Sequence, residues 1–80
     1  MAETLGDRVH FTRRKRGLTQ RELADRMGMT NVTISRIEKN AVTDIRPDTL
    51  IELAKALDVS TDYLLGLKDE DEEERLAAAH

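Results

Sequence analysis

The chain has 80 residues, a net charge of −3 and no cysteine. A chain of this length supports one domain with one modest core, so two independent domains are excluded. With 39% hydrophobic residues, one Phe, one Tyr and no Trp, the core must be aliphatic, which favours helices over sheets. The lack of cysteine excludes disulfides and thiolate zinc ligands and fits an intracellular setting. No apolar run is long enough for a membrane span or a signal peptide, so we expect a cytoplasmic protein without membrane contact.

A negative net charge argues against nucleic-acid binding, because such domains are usually basic. The distribution of the charge removes this objection. Residues 1–68 hold 12 Lys or Arg and 10 Asp or Glu, giving +2, whereas residues 69–80 hold one Arg and six acids, giving −5. Six consecutive acids, Asp69–Glu74, repel one another and should be mobile or weakly helical, so we expect residues 69–80 to be an acidic tail that is disordered or frayed. Such a tail is usually only solvated, although it can also mask a binding face or attract a basic partner.

Five helices are predicted in residues 1–68, because residues that start or end a helix recur along this part of the chain. Thr, Ser and Pro can cap or open a helix, and Gly or Asn can adopt the left-handed conformation that ends one. The starting residues are Thr19, Thr30, Pro47 and Ser60, and the ending residues are Gly17, Gly28 and Asn40. No segment has the pattern of a strand. We therefore expect an all-α, compact five-helix domain.

The second and third predicted helices are the most informative part of the sequence. The helix over 20–27 and the helix over 31–39 are separated by Gly28-Met29-Thr30, the short glycine-containing turn of a helix-turn-helix. Ala24 falls midway along the first of these helices, where a small side chain lets the second helix cross closely. Ala24 and Gly28 are therefore predicted to be structural residues.

The outer side of the third helix carries groups that suit the edges of DNA bases. Asn pairs well with adenine and Arg with guanine, and Val or Thr can meet the methyl group of thymine. The residues on this side are Asn31, Val32, Thr33 and Arg36. For Thr33, base contact and a solvated position without contact remain equal alternatives. Nothing on this face resembles a catalytic site, so we do not expect an enzyme.

Two linked motifs give the sequence a family resemblance. They are Leu18-Thr19-Gln20-x-x-Leu23-Ala24-x-x-x-Gly28 and Thr33-Ile34-Ser35-x-x-Glu38. This combination resembles the phage repressor and Cro family, whose bacterial members are called xenobiotic-response-element-type regulators. The resemblance covers about residues 5–67. It implies a lambda-repressor-like fold and a regulator of transcription that binds specific double-stranded DNA sequences.

The resemblance also implies roles for single residues. Base contacts would come from Asn31, Val32 and Arg36. Phosphate contacts would come from Gln20, Thr30 and Lys39. Arg13 and Glu38 match positions that form a buried ion pair in some relatives, which is a structural role. The basic run that begins at Arg13 is otherwise explained by its place at the end of a helix, where positive charge suits the helix dipole.

One departure from the family concerns the end of the third helix. The family commonly has Gly where this chain has Asn40, and the loop over 41–46 is longer than in the smallest phage repressors. Asp44 lies in this loop and would be repelled by phosphate unless it points away or pairs with Arg46. The phosphate contacts of the loop are therefore left open.

The expected partner is double-stranded DNA, bound by a homodimer. A symmetric dimer would place its third helices in successive major grooves of a pseudo-palindromic operator and repress transcription. Tyr63 and the leucines beside it either close the core or form the dimer surface. The alternative function is an antitoxin-type module that binds a partner protein as well as DNA. No cofactor or metal is expected, because neither His10 nor His80 has a second ligand at metal spacing.

Overall fold

The computed structural model describes residues 4–42 and 44–78, with side chains described as far as Arg75. This part of the chain contains helices and no strand, which confirms the all-α class. The helices are α1 Leu5–Lys15, α2 Gln20–Met27, α3 Asn31–Glu38, α4 Pro47–Leu57, α5 Thr61–Leu64 and α6 Glu70–Ala78. Five helices were predicted, and α6 is the addition. None of the helices in residues 4–42 and 44–78 is long and apolar enough to cross a membrane.

The acidic segment, expected to be mobile or weakly helical within a frayed tail, is the helix α6 over residues 70–78; residues 79 and 80 lie outside the described part. The acids of α6 have partners on the rest of the domain. Glu73 accepts hydrogen bonds from the Ser60 backbone N (2.8 Å) and Oγ (2.6 Å), and it lies 2.9 Å from Lys68 Nζ. Glu74 pairs with Lys15. These partners neutralise part of the acidic run, and acids in the first turn also suit the positive end of the helix dipole.

The predicted caps of the helix-turn-helix are present. At the start of α2, Thr19 Oγ1 accepts from Glu22 N at 3.0 Å, and Glu22 Oε1 accepts from Thr19 N at 2.9 Å, which completes a capping box. Gly28 ends α2 with φ 66°. Thr30 Oγ1 accepts from Thr33 N at 3.4 Å and so starts α3. Local hydrogen bonds therefore set where both helices of the motif begin and where the turn between them lies.

The core lies between α1, α2, α3, α4 and α5. Its buried apolar residues are Val9, Leu23, Ala24, Ile34, Ile37, Leu53, Ala54, Leu57, Tyr63 and Leu64. Ala24 is only 1% exposed, and α2 packs more extensively on α3 than any other two helices do on each other. Tyr63 belongs to this core, whereas Leu65 and Leu67, which follow α5, are 53% and 71% exposed. Of the leucines beside Tyr63 in the sequence, Leu64 is buried, whereas Leu65 and Leu67 leave apolar surface exposed.

A close approach between the start of α1 and the end of α3 depends on Gly6. A Cβ atom on Gly6 would lie 2.6 Å from each of Ile37 O, Glu38 O and Asn40 Oδ1. The Gly6 backbone N donates to Asn40 Oδ1 at 3.0 Å, and Asn40 Nδ2 donates to Thr4 Oγ1 at 3.0 Å. Two of the three obstructing atoms belong to the backbone, so a side chain on Gly6 cannot be accommodated by rotating a neighbour.

Gly6→Ala tests this approach. At an unobstructed helix position this change stabilises a protein by roughly 1 kcal/mol, because alanine is the better helix former. Here we expect the free energy of unfolding to fall by about 2 kcal/mol or more, since the methyl group overpacks the α1–α3 contact. Urea denaturation followed by circular dichroism measures the change. Gly17→Ala is the control: no atom lies within 4 Å of its Cβ position, so only the cost of its left-handed backbone, about 1 kcal/mol, is expected. A stabilised Gly6→Ala variant would show that the approach is not tight.

Candidate nucleic-acid interface

The outer face of α3 presents polar and apolar groups to solvent. Asn31, Val32 and Arg36 are exposed, and Val32 is 62% exposed although its side chain is apolar. Thr33 is half-buried, with its Oγ1 3.2 Å from Thr30 Oγ1. The structure therefore places the four predicted base-contacting residues on one short helix, three in its first half and Arg36 in its second. Asn31, Val32 and Arg36 are exposed, whereas Thr33 is half-buried and its hydroxyl lies beside that of the capping residue Thr30.

The inner face of α3 explains this orientation. Ile34, Ile37 and Glu38 are buried. Their spacing of three and four residues puts them on one side of the helix, so Val32 and Arg36, on the opposite side, point outward. The burial of two isoleucines and one acid thus determines which groups α3 presents.

The three predicted phosphate-contacting residues lie at the borders of this face. Thr30 caps the start of α3 and is exposed, and Lys39 is the exposed residue that ends α3. Gln20, the first residue of α2, is half-buried, and its Nε2 donates to Glu38 Oε1 at 3.2 Å. Gln20 is therefore attached to the inner side of α3 as well as lying beside the outer face. The phosphate contacts themselves remain a prediction.

Behind the face, the Glu38 carboxylate joins three helices. Arg13 of α1 donates from Nε to Glu38 Oε2 at 2.6 Å and from Nη2 to Oε1 at 3.2 Å, and its Nη1 donates to Leu18 O at 2.8 Å. The side chains of Glu38 and Arg13 are only 4% and 10% exposed. His10 Nδ1 lies 2.8 Å from Glu38 Oε1, and the Gln20 amide completes the set. The Arg13–Glu38 ion pair is thus part of a larger buried network that fixes α1, the following turn and α2 against α3.

The charge of Glu38 is maintained by these donors. Burial raises the pKa of its carboxyl, but hydrogen bonds from Arg13, His10 and Gln20, together with the positive charge of Arg13, outweigh burial and hold the pKa below its ordinary value. Glu38 is therefore ionised at neutral pH, as the buried guanidinium of Arg13 requires.

His10 is the member of the network that the sequence analysis did not identify. It was considered there only as a metal ligand. A signal was available: His10 and Arg13 are three residues apart on a helix, so both can face the same neighbour. The neighbour, Glu38, is 28 residues further along the chain. The predicted Arg13–Glu38 pair was the one feature of the sequence that pointed from His10 to Glu38, because His10 lies on the same side of α1 as Arg13.

Known proteins are similar to this chain both in sequence and in fold. A family model described as "Helix-turn-helix" matches residues 12–64. The HTH-type transcriptional regulator ImmR of Bacillus subtilis (strain 168) is 43% identical over 67 residues, which are 84% of this chain and 51% of that protein. The crystal structure of the c2 repressor of Salmonella phage P22 in complex with a synthetic operator is 35% identical, with a TM-score of 0.73 over 79% of this chain and 94% of that chain. A crystal structure of SinR in complex with DNA is 31% identical, with a TM-score of 0.72 over 76% of this chain and 97% of that chain.

The fold, the capped α2–α3 unit and these matches define the class of protein. The chain belongs to the helix-turn-helix family of phage-repressor and xenobiotic-response-element type. It spans 51% of the length of ImmR, 29% of the length of the P22 c2 repressor and 61% of the length of SinR of Bacillus licheniformis. The family resemblance stated from the two sequence motifs is confirmed.

Glu38→Gln tests the charge requirement of the network. A carboxyl whose pKa is lower in the folded state contributes stability that is present above its ordinary value of 4.5 and is lost as the pH falls through the folded value. At pH 7 we expect the variant to lose about 3 kcal/mol, because the buried Arg13 loses its counter-charge. Below pH 4.5 the difference from the unmodified protein should shrink, as the native carboxyl also becomes neutral. Urea unfolding between roughly pH 3 and pH 7, a range that includes the ordinary carboxyl pKa, measures the loss of stability at pH 7 and its decrease at low pH.

Glu52→Gln is the matched control for this series. Glu52 is an exposed acid on α4, so the variant should unfold like the unmodified protein across the same range. If Glu38→Gln lost the same free energy of unfolding at every pH, the negative charge of Glu38 would not be what stabilises the buried Arg13.

Proposed function

We propose that the chain is a sequence-specific double-stranded DNA-binding regulator of transcription that acts as a repressor. The observation that carries this proposal is the α3 face, on which amide, guanidinium and apolar groups are exposed together while a buried ion-pair network holds the helix from behind. The relatives support it, since one is described as a transcriptional regulator and another as a repressor bound to an operator. These bacterial and phage relatives also support a cytoplasmic location, where their DNA is found.

In the proposed complex, α3 lies in the major groove and reads base edges directly. Asn31 is suited to adenine, through an amide that both donates and accepts, and Arg36 is suited to guanine, through two parallel N–H donors. Val32 supplies an apolar contact for a thymine methyl group. Thr33 has a smaller share, because its hydroxyl already lies against Thr30. Base preference would thus come mainly from three exposed side chains.

Phosphate contacts would position the helix without reading the sequence. Gln20 and Thr30 lie at the starts of α2 and α3, where free backbone N–H groups favour an anion. Lys39 adds a positive charge at the far end of α3. Such contacts make affinity depend on salt, because each neutralised phosphate releases counterions.

The alternative of an antitoxin-type module with a partner protein is not favoured. ImmR, the P22 c2 protein and SinR are described as regulators or repressors, and two of their structures contain DNA. The α6 acids that suggested a basic partner are in part already paired with Lys15 and Lys68.

Arg36→Ala and Lys39→Ala separate base reading from phosphate contact. Arg36→Ala should weaken binding to the preferred duplex by about 1–3 kcal/mol and relax the preference at one base pair. Lys39→Ala should weaken all duplexes alike and reduce the slope of log affinity against log salt by about 0.9. Gln20→Ala should also act on all sequences alike, without changing that slope. A duplex selected from random DNA and its single-base variants, titrated by fluorescence anisotropy, provide the measurement. An Arg36→Ala variant with unchanged base preference would remove Arg36 from base reading.

We further propose that the protein binds as a symmetric dimer. Leu65 and Leu67 support this, because they leave apolar surface exposed directly after α5. Two α3 helices would then enter major grooves roughly 34 Å apart, one helical turn of DNA. A repressor needs no further surface for this mechanism, since occupancy of an operator excludes the polymerase.

Half-site spacing tests the dimer. Inserting about five base pairs between half-sites turns one of them to the opposite side of the duplex, so affinity should fall to that of a single half-site. Leu67→Glu should give the same low affinity on the unaltered operator and a monomer by sedimentation equilibrium. Glu52→Gln, on exposed α4 surface, serves as the control for an altered surface charge. If the spacing had no effect, each monomer would bind independently and the dimer would be excluded.

A further inference from the structure

One oxygen atom of Glu38 has more donors than it can satisfy. Glu38 Oε1 lies 2.8 Å from His10 Nδ1, 3.2 Å from Arg13 Nη2 and 3.2 Å from Gln20 Nε2. Oε2 has the single partner Arg13 Nε at 2.6 Å. A carboxylate oxygen offers two lone pairs, so three donors at Oε1 compete for them. A stronger bond from one donor therefore weakens the others.

Gln20 is the donor for which this competition has a functional consequence. Under the function proposed above, its amide donates to a DNA phosphate, and in the free protein one of its two N–H groups donates to Glu38, which sets the direction of the amide. Arg13 is held by its other contacts, to Glu38 Oε2 and to Leu18 O. Gln20 has no other hydrogen bond from its amide among the described residues, so it is the partner most easily released.

His10 is the group that can shift the competition. Its side chain is 50% exposed, whereas that of Glu38 is 4% exposed, so protons from solvent reach the imidazole directly. The charged groups that face it are Arg13 on its own helix, with Nη2 3.2 Å from Nδ1, and Glu38 on α3. The α2 side chain that shares Glu38 Oε1 with it is the uncharged Gln20. We assign the hydrogen of the neutral ring to Nδ1, because Nδ1 lies closer to the Glu38 carboxylate, which accepts, than to Arg13 Nη2, which donates.

We propose that His10 is a positioning residue for Gln20 and acts through Glu38 Oε1. When the ring takes a proton from solvent on Nε2, the Nδ1–H bond to Glu38 becomes charge-assisted and stronger. Oε1 is then withdrawn from the Gln20 amide, which turns to donate to a phosphate. DNA affinity is therefore higher when His10 is protonated than when it is neutral. This inference rests on the proposed DNA binding and adds that the DNA affinity depends on the protonation of His10.

The first test needs no DNA. Gln20 is the only glutamine in the sequence, so its side-chain amide resonances are identified by a Gln20→Ala spectrum. A pH titration followed by NMR should show these resonances moving with the midpoint of the His10 ring. In His10→Gln, which keeps a donor near Glu38 without a titrating ring, the movement should vanish. Gln20 resonances that stay fixed while the His10 ring titrates would overturn the proposal.

The second test measures DNA affinity at roughly pH 5.5 and pH 7.5, on either side of the ordinary histidine midpoint, at constant ionic strength. The probe is a duplex selected from random DNA by the unmodified protein. We expect binding to be about three- to tenfold tighter at the lower pH, the effect of one additional charge-assisted contact. His10→Gln and Gln20→Ala should each bring this ratio close to one. His10→Lys, with a permanent charge, should bind at the higher pH as tightly as the unmodified protein does at the lower.

Arg14→Gln is the matched control. Arg14 is exposed on the same helix, one residue from Arg13, and makes no contact with Glu38 among the described residues. Its replacement removes a nearby positive charge and should leave the pH ratio unchanged, even if both affinities fall. His80 is present in every variant and so contributes equally throughout.

The outcomes distinguish this proposal from the one on which it rests. If Gln20→Ala keeps the pH ratio and His10→Gln loses it, His10 contacts phosphate itself and the positioning role is overturned. If the unmodified protein binds DNA equally at both pH values, the positioning role alone is overturned. If it selects no duplex at either pH, the proposed function fails, and the DNA-binding part of this inference fails with it. Thermal unfolding at both pH values shows that each variant is folded.

Discussion

The arrangement of the helix-turn-helix depends on one buried carboxylate. Glu38 sits at the end of α3, with a side chain that is 4% exposed, and it accepts from α1 and α2 at once. A buried charge is tolerated only when it is paired and its remaining lone pairs are satisfied. Arg13 supplies the charge, and His10 and Gln20 supply further donors. Because all of these groups must meet at one point, the positions of α1 and α2 relative to α3 are defined from the inner side, and the outer side of α3 remains free for another molecule.

The apolar core could not provide this definition alone. It consists almost entirely of aliphatic side chains, and Tyr63 is its one aromatic member. Aliphatic side chains of similar volume can exchange places at modest cost, so they favour a compact bundle more strongly than one unique packing. A network that requires particular atoms to lie within hydrogen-bond distance is more selective. In this domain we attribute compactness to the leucines and isoleucines, and the exact crossing of α1, α2 and α3 to the polar network among them.

The features that the sequence predicted are those set by nearby residues. The capping box at Thr19, the left-handed Gly28 and the cap at Thr30 each depend on partners within four residues, so their chemistry can be recognised in the sequence itself. The features that it missed depend on distant partners. Helix α6 was expected to be at most weakly helical because its acids repel one another, yet Glu74 pairs with Lys15 and Glu73 accepts from Ser60, which are 59 and 13 residues away in the chain. His10 was missed for the same reason, since its partner follows 28 residues later.

Asn40 shows how a local prediction can be right for an incomplete reason. As predicted, it ends α3 in the left-handed conformation, with φ 57°. Glycine would adopt this conformation at lower cost, by roughly 1 kcal/mol. However, glycine has no side chain, and that of Asn40 accepts from Gly6 N and donates to Thr4 Oγ1, each at 3.0 Å. These two bonds offset the cost and attach the start of α1 to the end of α3. Arg13, seven residues beyond Gly6, attaches the other end of α1 to Glu38. With α1 attached to α3 at two points, these contacts define the orientation of α3 relative to α1 even though the core between them is small.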